Sequence, residues 1–158
     1  NTRHLSEILR RAATHRGSCF VEIYQNCVVF NPSAWEHTTD SDVRDDNILY
    51  LEDNEPLVFG KEKQNAIAIK GLDPVIVKNE DSNRSEIFVH KEDHASNNYA
   101  QMLSRMENPL MPIPFGILRC ISRPTYNELM NEQIHSAKKA KGIGELNDLF
   151  NSGDTWTV

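Results

Sequence analysis

The sequence predicts an α/β protein, with a helix–strand unit over residues 1–31 and a mixed α+β extension of hairpins and helices over 32–158. Three observations carry this. In "NTRHLSEILRRAATHR", Leu5, Ile8, Leu9 and Ala12 recur at three- and four-residue spacing, the apolar face of a helix over residues 2–15. Directly behind it, residues 19–24 form a nearly continuous apolar run broken only by Glu22, which suits a strand buried inside a parallel sheet. Beyond Asn31 the texture turns polar, then becomes short alternating runs and two further helical stretches.

The elements follow in order. Gly17 in "RGS" supplies a C-terminal cap for the first helix. "NPSAWEHTTDSDVRDDN" reads as a loop with one helical turn, and "ILYLEDNEPLVFG" as two strands around an Asp-Asn turn. "NAIAIKGLDPVIVKN" repeats that pattern around Gly71. "HASNNYAQMLSRM" is a helix with residues 94–96 near its start, and "PIPFGILRCIS" holds a strand after two prolines. "SRPTYNELMNEQIHSAKKAKG" is a second long helix with Pro124 in its first turn and an apolar stripe of Tyr126, Leu129, Met130 and Ile134. "GIG" at 142–144 caps it. No period of a repeat architecture is present. A lone parallel strand cannot make a sheet, so its neighbours are expected outside these residues, and the opening on Asn1 inside a helix points to part of a larger protein.

Composition narrows the function classes. The 158 residues suit about one domain. Only 39% are hydrophobic, so a deep core standing alone is not expected. A net charge of −6 argues against nucleic-acid binding, and the one basic run, "SAKKAKG", complements the negative end of a helix. No run approaches the ~20 apolar residues of a membrane span, nor is there a signal-like segment, so no membrane partner is expected. Three cysteines at irregular spacing are no disulfide framework, which predicts a reducing, cytoplasmic location. The glycosylation-like "NRS" at Asn83 carries no meaning there.

Cys27 is the candidate site residue. It stands three residues past the predicted strand, where ligands of open α/β sheets gather. Spacing alone leaves it either a buried inert thiol, the commoner fate of free cysteine, or a metal ligand. Cys19 and Cys120 lie within apolar runs and read as core. His90 and His94 in "HKEDH" have the spacing of a helical zinc pair but no helix and no third ligand, and read as a solvated turn. Trp35 and Trp156 read as packing anchors.

The segment "RRAATHRGSCFVEIYQNCVVFNP" resembles the part of 2-oxoacid:ferredoxin oxidoreductase β subunits that carries a Cys-Val-x-Phe-Asn turn after the final sheet strand. The resemblance runs on through "DNEPLVFGKE", "PIPFGILRCISRPTYNELMNEQI" and "GDTWTV", and the last two are most similar to the 2-oxoglutarate-directed branch. It implies that residues 1–31 end a thiamine diphosphate-binding domain, and that the chain is the C-terminal half of a β subunit. It further implies a 4Fe-4S cluster with Cys27 as fourth ligand, thiamine diphosphate with Mg²⁺, and surroundings shaped by Asn26, Val28 and Phe30. The implied reaction converts a 2-oxoacid and coenzyme A to acyl-CoA, CO2 and reduced ferredoxin. The implied partners are an α subunit, the N-terminal part of the β subunit, ferredoxin and a second αβ copy. Neither a Cys-x-x-Cys pair nor the Gly-Asp-Gly diphosphate motif is present, so those ligands are expected upstream. A non-catalytic assembly module, or a relative acting on pyruvate or branched-chain 2-oxoacids, are the alternatives.

Overall fold

The computed structural model describes residues 1–80 and 86–156; Asn83 and the last two residues of "GDTWTV" lie outside them. The fold is mixed α/β, with parallel and antiparallel pairing. Its contacts divide it into two units, Asn1–Thr14 with Cys19–Ser122, and His15–Ser18 with Arg123–Val158.

The first unit opens with α1 (Thr2–Thr14), which ends before Gly17, whose φ of +128° suits only glycine comfortably. Where one helical turn was expected in the polar loop there are two, α2 (Glu36–Thr39) and α3 (Arg44–Asn47). β1 (Ile48–Tyr50) follows, then β2 (Val58–Phe59), β3 (Asn65–Lys70), β4 (Asp73–Lys78), α4 (Asn98–Ser104) and β5 (Ile113–Phe115). β3 and β4 form the expected hairpin, with Lys70 opposite Asp73, so Gly71 and Leu72 alone make the turn. Gly71 has φ +69°. A two-residue hairpin turn demands such a left-handed residue.

β1 and β2 do not pair with each other, contrary to the expectation of two strands joined by a turn. The Asp-Asn turn is real, with Asn54 at φ +63°. However, β1 runs parallel to β5, Ile48 opposite Ile113, whereas β2 lies antiparallel to β3. The reason is competition for the backbone: the Asn54 and Leu57 amides donate to His90 and Phe88 carbonyls, and the His90 amide donates to Glu55. Residues 88–90 take the place a hairpin partner would have had.

These pairings close a core that composition argued against. Leu49, Leu57, Ile67 and Leu103 are fully buried, with Leu51, Phe59, Tyr99 and Met106 around them. Each such side chain contributes ~1.5–3 kcal/mol on leaving water. Leu57 and Phe59, from the run that follows the Asp-Asn turn, both point into this core. The low hydrophobic share is an average over this core and long exposed stretches elsewhere.

The expected strand at 19–24 is absent. Among the described residues, 18–26 have no ladder partner, and Phe20 is 91% exposed. A buried parallel strand needs a neighbour, and neither sheet of this chain offers one. Cys19 is correspondingly exposed rather than core, and Cys120 is half-buried.

The second unit holds α5 (Tyr126–Lys141) and α6 (Leu146–Phe150). Thr125 and Glu128 form a reciprocal capping box, and Arg16 pairs with Glu128. Pro124 thus precedes the N-cap instead of occupying the first turn. Gly142 ends α5 at φ +82°, as expected of the "GIG" cap. The stripe of Tyr126, Leu129, Met130 and Ile134 is exposed among the described residues, as is Trp156 at 85%, so Trp156 anchors no packing here.

Candidate functional site: the Cys27 turn

Cys27 begins a tight turn closed by the Asn31 amide, which donates to the Cys27 carbonyl at 2.9 Å. The two residues face one another as an isolated antiparallel bridge. The backbone amides of Phe30 and Val29 chiefly, and of Asn31, favour the thiolate and hold the Cys27 thiol below the ordinary range. Burial opposes this only weakly, because Cys27 is exposed. Val28, Val29 and Phe30, the next three residues, are 79%, 80% and 90% exposed. The inert buried thiol is therefore excluded within this chain.

The flanks of the turn are tied down by side chains. Asn26 Nδ2 donates to the Pro32 carbonyl at 2.7 Å, bridging entry and exit. Trp35 Nε1–H donates to the Gln25 carbonyl at 2.9 Å. The Trp35 ring stacks on Tyr24 at 4.4 Å and 15°, and Tyr24 meets Phe115 of β5 edge-on at 5.2 Å. Trp35 is thus the packing anchor expected, and what it packs is the segment leading to Cys27. Neither the stack nor the effect of the amides was visible beforehand. The only sequence signal was an aromatic on each side of the cysteine.

Such a site can hold a soft metal by one sulfur. Thiolates suit iron–sulfur centres, and N–H donors to the sulfur tune them. It cannot complete a centre: among the described residues no group of three or more His, Cys, Asp or Glu is placed to hold a metal ion. The donor chemistry fits a single cluster ligand whose companions come from elsewhere.

His90 and His94 are not brought together as ligands, and His90 is not in a solvated turn. It is fully buried. Its Nε2 lies 2.9 Å from the Ile117 carbonyl, which only accepts, so Nε2 carries the proton and Nδ1 accepts from the Tyr99 hydroxyl at 3.0 Å. Burial chiefly lowers its pKa and raises that of Tyr99. His94 stays exposed against the Ser96 backbone. The buried Glu92, paired with Arg11 of α1 (one contact at 2.9 Å), went unnoticed because an isolated Glu–Arg pair leaves no local pattern.

No family model matches the chain, and no solved structure matches it. Over 157 residues, 98% of its length, the chain is 34% identical to 2-oxoglutarate oxidoreductase subunit KorB of Mycobacterium tuberculosis. It spans 42% of that subunit, as a likeness to one half implies. Among the described residues no helix is long and apolar enough to cross a membrane.

Proposed function

We propose that this chain is the C-terminal part of the β subunit of a 2-oxoglutarate:ferredoxin oxidoreductase, and that Cys27 is its single ligand to a 4Fe-4S cluster. The observation that carries the reading is the 34% identity over 98% of the chain to a protein named as a 2-oxoglutarate oxidoreductase subunit. The Cys27 turn, whose amides favour the thiolate, supports the ligand role. In this reading residues 1–31 close the thiamine diphosphate-binding domain, and the unpaired segment before Cys27 joins a sheet whose other strands lie in the N-terminal part of the subunit. The remaining thiolates and the ligands of thiamine diphosphate and Mg²⁺ belong to that part too. An α subunit, ferredoxin and a second αβ copy complete the assembly, which works in the cytoplasm.

When bound, the two cofactors supply carbanion stabilisation and one-electron transfer for decarboxylating a 2-oxoacid onto coenzyme A, with ferredoxin reduced. In this reading the chain supplies one sulfur whose neighbouring backbone amides favour the thiolate, with the apolar Val28 and Phe30 beside it in the turn. Those are the features by which a protein sets a cluster's potential. A second reading, an assembly module, is favoured by the exposed stripe of α5 and is compatible with the first. The preference for 2-oxoglutarate over pyruvate or branched-chain acids rests on the relative's name and on the likeness of "RPTYNEL" and "GDTWTV" to the 2-oxoglutarate-directed branch.

The test is iron and sulfide content, with 2-oxoglutarate- and CoA-dependent ferredoxin reduction, in the intact enzyme and its Cys27→Ser, Cys19→Ser and Cys120→Ser variants. Cys27→Ser replaces a soft thiolate by a hard oxygen, and the cluster should be lost or its potential moved, while thiamine diphosphate still binds. The other two should keep full iron. A complete cluster and normal electron transfer in Cys27→Ser would overturn the ligand assignment.

A further inference from the structure

Something must fix where Cys27 stands. Residues 18–26 have no ladder partner among the described residues, so the backbone does not do it. Two of the contacts that reach this segment from the folded part of the first unit come from one side chain, Trp35. Trp35 is seated at the start of α2, where its own carbonyl accepts from the Thr38 and Thr39 amides at 2.9 and 3.0 Å. From there the indole N–H holds the carbonyl of Gln25, two residues before the cysteine. The ring face holds Tyr24, which in turn meets Phe115 of β5, the strand paired with β1. A hydrogen bond sets the rotation of the Gln25 peptide, and an aromatic stack sets its distance from the sheet. Asn26 then ties the turn's two ends together.

We propose that Trp35 is a positioning residue for Cys27: through Gln25 and Tyr24 it holds in place the segment that carries the cysteine into its turn. The inference rests on Cys27 being a cluster ligand. Partners that orient a metal ligand without touching the metal typically matter 10–100-fold to metal retention.

The experiment uses the intact enzyme and its Trp35→Phe, Trp35→Leu, Trp156→Phe and Cys27→Ser variants. The readouts are the spectrum of the reduced cluster by electron paramagnetic resonance, its midpoint potential, and the rate of iron loss to a chelator. Trp35→Phe keeps an aromatic face and removes the N–H. It should hold full iron as isolated, but lose it about tenfold faster, with spectrum and potential changed. Trp35→Leu also removes the stack and should lose iron faster still. Trp156→Phe, in the second unit, should match wild type. Wild-type spectrum, potential and iron loss in both Trp35 variants, with the cluster absent from Cys27→Ser, would overturn the positioning role and leave the proposed function standing. A full cluster with wild-type potential and electron transfer in Cys27→Ser would overturn the ligand assignment, and this inference with it. If Trp35→Leu fails to assemble, Trp35→Phe decides.

Discussion

His90 shows how much one side chain can commit a fold. It is neutral, sealed from water and bonded at both ring nitrogens, to Tyr99 and to the Ile117 carbonyl. Burial holds its pKa below the ordinary 6.5, although the charges of Glu92 and Asp53 pull the other way. The unfolded chain therefore takes up a proton first as pH falls. The stability that neutral His90 contributes is present above about pH 6.5 and drains away as pH drops toward the lower folded pKa. His90→Gln should be less stable at pH 8 by about 1–3 kcal/mol, since Tyr99 and Ile117 lose a well-placed partner. It should also lose less stability than wild type between pH 7 and 5.5. Thermal melts of both proteins across that range check this; parallel curves would show that His90 stays uncharged in neither state's favour.

At the scale of elements, the parallel β1–β5 pair depends on a close approach just past its end. Gly116 sits at φ +146°, and a Cβ there would meet the Leu51 Cβ at 2.8 Å and the Leu51 carbonyl oxygen at 2.9 Å. The Leu51 amide donates to Phe115 at 2.9 Å, so backing away would cost that bond as well. Gly116→Ala should destabilise by about 2–4 kcal/mol, from backbone strain and overpacking together. Gly71→Ala is the informative comparison. Its φ of +69° is also left-handed, but nothing lies within 4 Å of the added carbon. Only the conformational term applies there, about 1–2 kcal/mol. Urea midpoints of the two variants separate the effects, and equal losses would mean that the Leu51 contact is not limiting.

For the whole molecule, the division into two units matters more than chain length. The core lies in the first unit, and α4 contributes Leu103 and Tyr99 to it. A truncation that removed α4 would therefore unfold the core and say nothing about assembly. Removing residues 123–158 instead takes away α5 and α6 with their exposed Tyr126, Leu129, Leu149 and Phe150. Exposed apolar patches of this kind mark contact surfaces. The truncated subunit should keep its fold by circular dichroism while the αβ complex, followed by size-exclusion chromatography, weakens or dissociates. An unchanged complex would remove the assembly role from these helices.

The sequence by itself determined what is local. α1, α5 and the β3–β4 hairpin follow from three- and four-residue apolar spacing and a glycine at a two-residue turn, both of which act within a few residues. Cys27 was legible as a candidate because a run of neighbouring residues resembles a known motif. Periodicity reports which face of a segment is apolar, not what covers it. For that reason residues 19–24 read as a buried strand although they have no ladder partner among the described residues, and His90 read as solvated although it bonds to Tyr99 and Ile117 out of reach of water. Only tertiary structure decided that β1 pairs with β5 across the intervening sheet and α4, since strand pairing joins residues far apart in sequence. It decided likewise that the Trp35 indole reaches the Gln25 carbonyl and the Tyr24 ring, because that follows from the direction of the backbone rather than the identity of its residues.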